Sequence, residues 1–562
     1  MPIVTGMGMK GNTFRRALGP VAGGILLFAA ALAFSDDAPP MESDLPPPPL
    51  ADDAWEAPDV QPAPPDDDAE KPPADTPPAG PEPATLRLSV KECIALAVAN
   101  NLDVKVSVQQ TRTADADVQA AWGPFDPTPY LKGTYTNSQV PVGNALSGVS
   151  GIGLSASHLF QSAAGVRHRF LWTGMQYDLG MELDRTRTNS SFALLNPEWE
   201  VRPIARVSQP LLRGFGAAAN LAGIRLARAT QGIALDRFRT DLTEVVFQVE
   251  NAYYDLVNAI KQREVRQKSL KLAETLLEVN RQKVRVGTLP PIEELQAEAQ
   301  VASQQEGIIG AQKAIEDAED VLKRLIRPTW RDASEWDARV VPTDELMLGG
   351  PAPNTDESIR KALDRRPDYT ALSKQVGAQE ITIDQKENDL LPLVNVEGLY
   401  RQTGIGNDTN AAFDELTRDQ PEVWSVTLSL EYPLGNNTAR GELKKAEVER
   451  RRLALTMKSL EQVIVAEVRE GVRGISTTAK RIQAAKKSTE LATKQLEAEQ
   501  KRYELGVSTS FQVLQFQEDL VNAEQRETQA FVDHRKALLR LQKATGTLLE
   551  DNDILVDPGT FD

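Results

Sequence analysis

The chain has 562 residues, a formal net charge of −17 and a single cysteine, Cys93. This acidic balance argues against a nucleic-acid partner, and one cysteine excludes an intramolecular disulfide, so Cys93 is expected to be a small buried residue on a helix. The three histidines, His158, His168 and His534, have no metal-ligand spacing, and neither a metal nor a cofactor is expected.

The N-terminal residues predict a secretory signal peptide followed by a linker. In residues 1–35, basic residues precede an apolar run at 17–34 with a small-residue cleavage pattern at 31–33, which is typical of a signal peptide. An uncleaved membrane anchor is the alternative, although the apolar run is short for a span. Residues 36–84 contain 16 prolines and 14 acidic residues against one lysine, and this composition predicts a disordered linker or solvated tail.

A first structural repeat is predicted over residues 86–328. Its predicted elements are a helix at Ser89–Trp122, a strand at Thr128–Asn137, a Gly- and Ser-rich loop at Gln139–Gly165, strands at Met175–Arg187 and Val201–Gln209, a long helix at Gly216–Val286 and a returning helix that ends near Leu325. Ser89 and Glu92 form a capping-box pattern at the first helix. Apolar residues seven apart on the long helix, such as Leu242, Val249 and Leu256, predict a coiled-coil seam.

An irregular connector at 329–355 precedes a second repeat at 356–549 and a tail at 550–562. The second repeat is predicted as a helix at Asp356–Asp389, strands at Leu391–Tyr400 and Val423–Tyr432 around a loop, a helix at Arg440–Leu505, a turn at Gly506–Ser508 and a returning helix capped by Gly546. The longest helix would extend ~100 Å at 1.5 Å per residue.

The two repeats share local motifs at matching places. Arg281-Gln-Lys-Val-Arg-Val-Gly287 parallels Gln500-Lys-Arg-Tyr-Glu-Leu-Gly506, and the first repeat carries about 42 extra residues among its strands. A tandem duplication of this kind determines the fold, because each copy should form the same supersecondary unit.

The last strand has two chemically distinct faces. One face carries Trp424, Val426, Leu428, Leu430 and Tyr432, and the other carries serine, threonine and glutamate. Such alternation fits a membrane β-barrel, with these five residues facing lipid, or a soluble sandwich. One strand pair per repeat cannot close a barrel, and open edges are not tolerated in lipid, so several chains would have to pool their strands.

Together these features resemble the TolC-type outer-membrane efflux proteins. The motifs that carry the resemblance are Leu88-Ser-Val-Lys-Glu-Cys-Ile-Ala-Leu-Ala97, Ser208-Gln-Pro-Leu-Leu-Arg-Gly-Phe-Gly216, Val249-Glu-Asn-Ala-Tyr-Tyr-Asp-Leu256 and Arg502-Tyr-Glu-Leu-Gly506. The match covers roughly residues 86–549.

The resemblance implies an α+β membrane protein that forms a homotrimer and has no enzymatic activity. Long antiparallel helical hairpins would build a trimeric α-barrel in the periplasm, where the N-terminal linker would also lie, and the strands would share a β-barrel in the outer membrane. The chain would be the exit duct of an efflux or type I secretion system, working with a periplasmic adaptor and an inner-membrane pump. The turns expected at the periplasmic tip, where the adaptor docks, are Gly287 and Thr288, and Gly506, Val507 and Ser508.

Family members close this tip with charged residues just after the turns. Here Glu293 and Glu294 follow the first turn, whereas uncharged Gln512 and Gln515 follow the second. A gate held by hydrogen bonds from these glutamines is one hypothesis, and a plain solvated helix surface is the alternative.

Three further alternatives remain from the residues. The inserted segments Gly165–Trp172 and Met175–Arg187 either cross the membrane, giving six strands per chain, or extend outside it and leave four, and four is favoured. A periplasmic adaptor or a coiled-coil scaffold without a pore would also contain long helices, but would not require strands with one apolar face. The sequence does not separate small-molecule or metal-ion efflux from protein secretion.

Overall fold

The structure, a computed structural model, describes residues 85–142, 153–327, 336–344, 350, 353–418 and 422–554. The predicted signal peptide and linker, parts of the connector and most of the C-terminal tail lie outside these residues. Among the helices described here, none is both long enough and apolar enough to cross a membrane.

The helices follow the predicted order, with three additional breaks, at Asn101, Leu221 and Arg366. The described helices are α1 Val90–Asn100, α2 Leu102–Ala120, α3 Ala217–Asn220, α4 Ala222–Arg285, α5 Pro291–Ile326, α6 Thr355–Arg365, α7 Pro367–Asp389, α8 Thr409–Leu416, α9 Asn437–Glu504, α10 Ser510–Thr545 and α11 Leu548–Asp551. The single helix predicted from Ser89 to Trp122 is wrong, because extended Asn101 separates α1 from α2 and its side chain caps α2 by accepting from the backbone N–H of Asp103 at 2.8 Å. Arg366, extended before a proline, likewise separates α6 from α7.

Two long helices, α4 with 64 residues and α9 with 68, form antiparallel hairpins with α5 and α10, each of 36 residues. The shorter helices cover only part of each long one. Beyond them, nearer the strands, α2 and α7 pack against α4, and α7 also packs against α9. The helices therefore lie side by side four wide in both parts: α5, α4, α10 and α9 in one, and α2, α4, α7 and α9 in the other.

The core of the helical part is buried within the chain. The predicted seam residues Leu242, Val249 and Leu256 are each 0% exposed, and they belong to one hydrophobic cluster with Phe238 and Cys93. Cys93 is therefore buried on a helix, as the sequence predicts.

The described strands are β1 Thr85–Leu88, β2 Thr128–Val142, β3 Gly153–Arg169, β4 Gln176–Thr188, β5 Glu198–Pro210, β6 Arg339–Pro342, β7 Leu393–Gln402, β8 Gly404–Gly406 and β9 Glu422–Glu431. Six of them form one antiparallel sheet in the order β2-β3-β4-β5-β7-β9, and β8 continues β7 alongside β5. The connector is not wholly irregular, because β6 pairs in parallel with β1.

Two expectations about this sheet are wrong. Most of the predicted loop Gln139–Gly165 is strand where it is described, and the predicted loop between β7 and β9 contains β8 and α8. The inserted segments do not stand apart from a four-stranded sheet, because β4 lies in its interior, paired with β3 and β5 along most of its length.

Candidate channel wall and tip

The six-stranded sheet has one apolar face that the chain leaves largely uncovered. Residues that pair across the strands lie on the same face, so each row can be followed from the register. One such row is Trp424, Tyr400, Ala205, Leu179, Val166 and Pro129. The predicted lipid-facing residues of β9, with Tyr432 directly after it, are exposed, from 43% for Tyr432 to 71% for Leu430.

Helix α8 covers this apolar face at the end of the sheet away from the long helices. A Cβ atom on Gly404 or Gly406 would overlap the α8 backbone at Ala411 and Ala412. Val201, which pairs with Gly404, is consequently 0% exposed.

The opposite face is polar, and several of its charged side chains form ion pairs. The guanidinium of Arg202 on β5 donates to the carboxylates of Glu182 and Asp184 on β4 and of Glu200 on its own strand. Nearer the helices, the hydroxyl of Tyr130 donates to Asp178 at 2.8 Å. This face suits contact with water, and its ion pairs bind neighbouring strands together.

The phenol ring of Tyr130 also lies over two glycines on the polar face. Gly165 and Gly180 are paired across β3 and β4, and a Cβ on either would lie 2.6–2.7 Å from the Tyr130 hydroxyl. The glycines are therefore required where an aromatic side chain lies flat on the sheet.

The sheet ends in two unpaired strands. Within the described residues, β2 pairs only with β3, and β9 pairs only with β7. One chain thus presents an open edge on each side, which requires another strand if the sheet enters lipid.

Both long helices end in the same backbone motif. Gly287 has φ +77°, its N–H donates to the carbonyl of Val284, and the N–H of Thr288 donates to that of Lys283. Gly506 also has φ +77°, and Gly506 and Val507 repeat the two bonds, donating to Tyr503 and Arg502. These are Schellman motifs, which need a residue in the left-handed region at the glycine position.

The two tip turns are linked by buried polar contacts. The hydroxyl of Tyr503 donates to Oδ1 of Asn280 at 2.5 Å, and the Asn280 side chain donates to the carbonyl of Glu293 at 3.1 Å. The Glu293 carboxylate in turn accepts from the hydroxyl of Ser510. Burial, together with the nearby Glu293 carboxylate, raises the pKa of Tyr503, and Lys283 lies 3.8 Å from the centre of its ring.

The structure places the four gate candidates in different surroundings. Glu293 is engaged by Ser510, and Glu294 forms an ion pair with Arg281 at 3.2 Å. Gln512 is exposed and its Oε1 lies 2.8 Å from the Ser508 hydroxyl, and Gln515 is also exposed.

Sequence reasoning missed Asn280, Tyr503 and Ser510 as the residues that join the two hairpins. Tyr503 lies within the motif at 500–506, and Asn280 directly precedes the matching motif at 281–287. The sequence therefore drew attention to this region, but it did not show that the two side chains are in contact.

Exposed apolar side chains surround both turns. Leu505 is 79% exposed and Val286 72%, and Val507, Phe511, Ile292 and Leu295 are also exposed. A tip that contacts only water is expected to carry polar side chains. The exposed apolar side chains here are therefore suited to contact with a protein partner. No group of three or more His, Cys, Asp or Glu in the described part of the chain is placed to hold a metal ion.

Comparison with known proteins gives a consistent result. The family described as "Outer membrane efflux protein" matches residues 178–326 and 358–547, one segment in each predicted repeat. The chain is 22% identical to the outer membrane protein TolC of Salmonella enteritidis over 339 residues, which cover 59% of this chain and 66% of that protein, just under two thirds of its length. It is 21% identical to TolC of Vibrio cholerae serotype O1 over 320 residues, covering 56% and 70%.

A solved structure with the same fold is the CmeC outer membrane channel of Campylobacter jejuni. The two superpose with a TM-score of 0.62 at 15% identity, covering 82% of this chain and 85% of that one. Because the family match extends over more than half of the residues, the chain belongs to the outer membrane efflux protein family and is located in the outer membrane.

Proposed function

We propose that three copies of this chain form the exit duct of a tripartite efflux or type I secretion system. The duct receives substrates from an inner-membrane pump and a periplasmic adaptor and releases them outside the cell. The observation that carries this proposal is the sheet, which has one apolar face, one polar face and two open edges. Such a sheet becomes a water-filled pore in lipid once its edges are closed by other copies.

The helical part supports the same assembly. Each chain contributes a layer four helices wide, continuous with the strands through short connections at both repeats. Three such layers would close into a tube of twelve helices in the periplasm. The hairpin turns at Gly287 and Gly506 would form its far end, because they lie at the ends of α4 and α9 remote from the strands.

Adaptor docking is assigned to these turns. Gly287, Thr288, Gly506, Val507 and Ser508 present the backbone of the two Schellman motifs, and the exposed apolar side chains around them supply contact area. An adaptor with a complementary apolar tip would bury these side chains, which favours binding by about 25 cal/mol per Å².

Closure of the tip is assigned to residues just inside the turns. Glu293 and Glu294 are held by Ser510 and Arg281 of the same chain, so they are less available to a neighbouring chain. Gln515 and Gln512, whose Oε1 accepts from Ser508, are both exposed and are the hydrogen-bonding groups that we assign to closure. Double substitution of Gln512 and Gln515 by alanine should increase the conductance of the resting channel, and unchanged conductance would contradict this gate.

The experiment that tests the duct combines mass and conductance. The protein purified in detergent should have the mass of three chains, and in planar bilayers it should give defined conductance steps. A protein that remains in solution without detergent and gives no steps would instead support an adaptor or scaffold.

A further inference from the structure

We propose that all six strands cross the outer membrane, so that membrane hydrocarbon covers the inserted strands β3 and β4 as well as the other four. This inference rests on the proposed function and specifies its pore: three chains would close a barrel of eighteen strands. The alternative places β3 and β4 in water and leaves a barrel of twelve.

The apolar face continues without interruption onto the inserted strands. Leu179 on β4 pairs with Ala205 on β5 and with Val166 on β3, all in the row of Trp424. Leu179 is 51% exposed, and Leu131 on β2, beyond the insertion, is 67% exposed. On β4 this face is apolar from Tyr177 to Leu183, as it is on β9, so one solvent should cover both stretches; Arg185, which pairs with Phe160 and lies over the Trp199 ring, marks its far end.

Aromatic residues mark both ends of this face on the inserted strands. Nearer the helices, His168, Phe170 and Tyr177 pack together with ring centroids 5.2–5.6 Å apart. Further along, Phe160 pairs with Tyr135, and both are exposed. Aromatic girdles at both interfaces are the pattern of strands that cross a bilayer.

The distance between the two aromatic groups fits a membrane. Eight residues separate Phe160 from His168 on β3, which is about 27 Å of strand at ~3.4 Å per residue. At a tilt of about 40° this corresponds to a height of about 21 Å, close to the ~25 Å apolar band of outer-membrane barrels.

The polar face of the inserted strands is equally suited to a pore. On β4, Asp178, Glu182 and Asp184 alternate with the apolar residues, and Arg202 on β5 neutralises part of this charge. Asp178 is engaged by Tyr130 and by Arg167 at 3.0 Å. These carboxylates thus lie on the face that would line the lumen, and none lies on the face assigned to lipid.

Site-directed spin labelling in proteoliposomes tests this arrangement. Single cysteines are introduced in a Cys93→Ser background at two outward positions of the insertion, Ala164→Cys and Leu179→Cys, and at one inward position, Ala163→Cys. Val426→Cys and Thr427→Cys on β9 provide the matched outward and inward controls. The measured quantity is the accessibility of each label to oxygen, which concentrates in lipid, and to a water-soluble nickel complex.

The expected result is that labels at 164 and 179 have the oxygen-to-nickel ratio of the label at 426, several-fold above the ratios at 163 and 427. Water-like ratios at 164 and 179, with a lipid-like ratio at 426, would overturn the six-strand wall and leave the proposed duct intact. Water-like ratios at all outward positions, including 426, would overturn both. The Cys93→Ser protein must retain the mass and conductance of the parent, and this is checked first because Cys93 is 0% exposed within the helical core.

Discussion

The helical hairpins and the strand sheet use their apolar residues in opposite ways. In the hairpins, large side chains such as Phe238, Leu242 and Tyr253 are at most 1% exposed and pack within one chain. In the sheet, Trp424 and Leu428 are each 68% exposed. The helical part therefore obtains hydrophobic stabilisation from its own core, whereas the sheet depends on what surrounds it.

This difference predicts that the same substitution lowers the free energy of unfolding much more in the helical core than in the sheet. The substitution in the helical core is expected to have the largest effect of all. Leu242→Ala should lower the free energy of unfolding by about 2–5 kcal/mol, because it leaves a cavity in a packed cluster. Leu428→Ala is the matched change in the sheet and removes little intrachain packing, because Leu428 is 68% exposed. Thermal and denaturant unfolding in detergent should separate the two, and equal losses would contradict the contrast.

A charge in the sheet should produce the next largest effect, and only on one face. Leu428→Arg should cost about 2–4 kcal/mol of stability in bilayers if the residue lies near the membrane midplane. Ser429→Arg, the neighbour on the polar face, should cost far less. Urea titration of protein folded into lipid vesicles measures both, and a similar cost for the two variants would show that the faces are not differently solvated.

The tip turns should respond to backbone strain alone. Gly506→Val places a branched side chain at φ +77°, where no atom beyond the adjacent residues lies within 4 Å of the added Cβ, so a clash of the Cβ with the rest of the fold does not contribute. We expect a cost of about 1–2 kcal/mol from the left-handed conformation, together with weaker transport. Val507→Ala keeps the glycine and serves as the control; full stability and transport in Gly506→Val would argue against this turn as a structured docking tip.

The smallest effect is expected from pH in the helical part. His534 is 2% exposed, its Nδ1 lies 2.9 Å from the Thr478 hydroxyl, and burial, assisted by the charge of Arg535, lowers its pKa. The unfolded chain, with an ordinary histidine pKa of about 6.5, then binds more protons than the folded one. Stability should therefore fall as the pH decreases below about 6.5 toward the lower folded pKa.

His534→Gln should flatten this dependence. The measurement is the midpoint of thermal unfolding between pH 7.5 and 5, compared with the parent protein. An unchanged slope would assign the pH response to other groups.

Much of the helical architecture could be predicted because it is periodic. The heptad spacing of Leu242, Val249 and Leu256 identified a buried seam, and the positions of Gly287 and Gly506 identified both turns. The break at Asn101 was missed because it depends on a side-chain cap within an apolar pattern that continues on both sides.

Strand β4 of the insertion was predicted, whereas most of β3 was taken for a loop, for a physical reason. Residues 153–165 are rich in Ser, Ala and Gly, which resembles a loop, yet the glycine at 165 is needed within the strand because Tyr130 covers Gly165 and Gly180. The contacts at the tip could not be predicted from the sequence either. Tyr503 and Asn280 belong to different repeats, and only the packing of one hairpin against the other brings them together.

The two open edges of the sheet have a genetic consequence. A chain that can pair through β2 but not through β9 would still enter an assembly with normal chains, yet could not complete the ring. In the proposed trimer, one defective subunit would then inactivate the whole complex. Lesions confined to the β9 edge should therefore be dominant over the normal gene, whereas lesions that unfold the helical core, and so prevent any association, should be recessive.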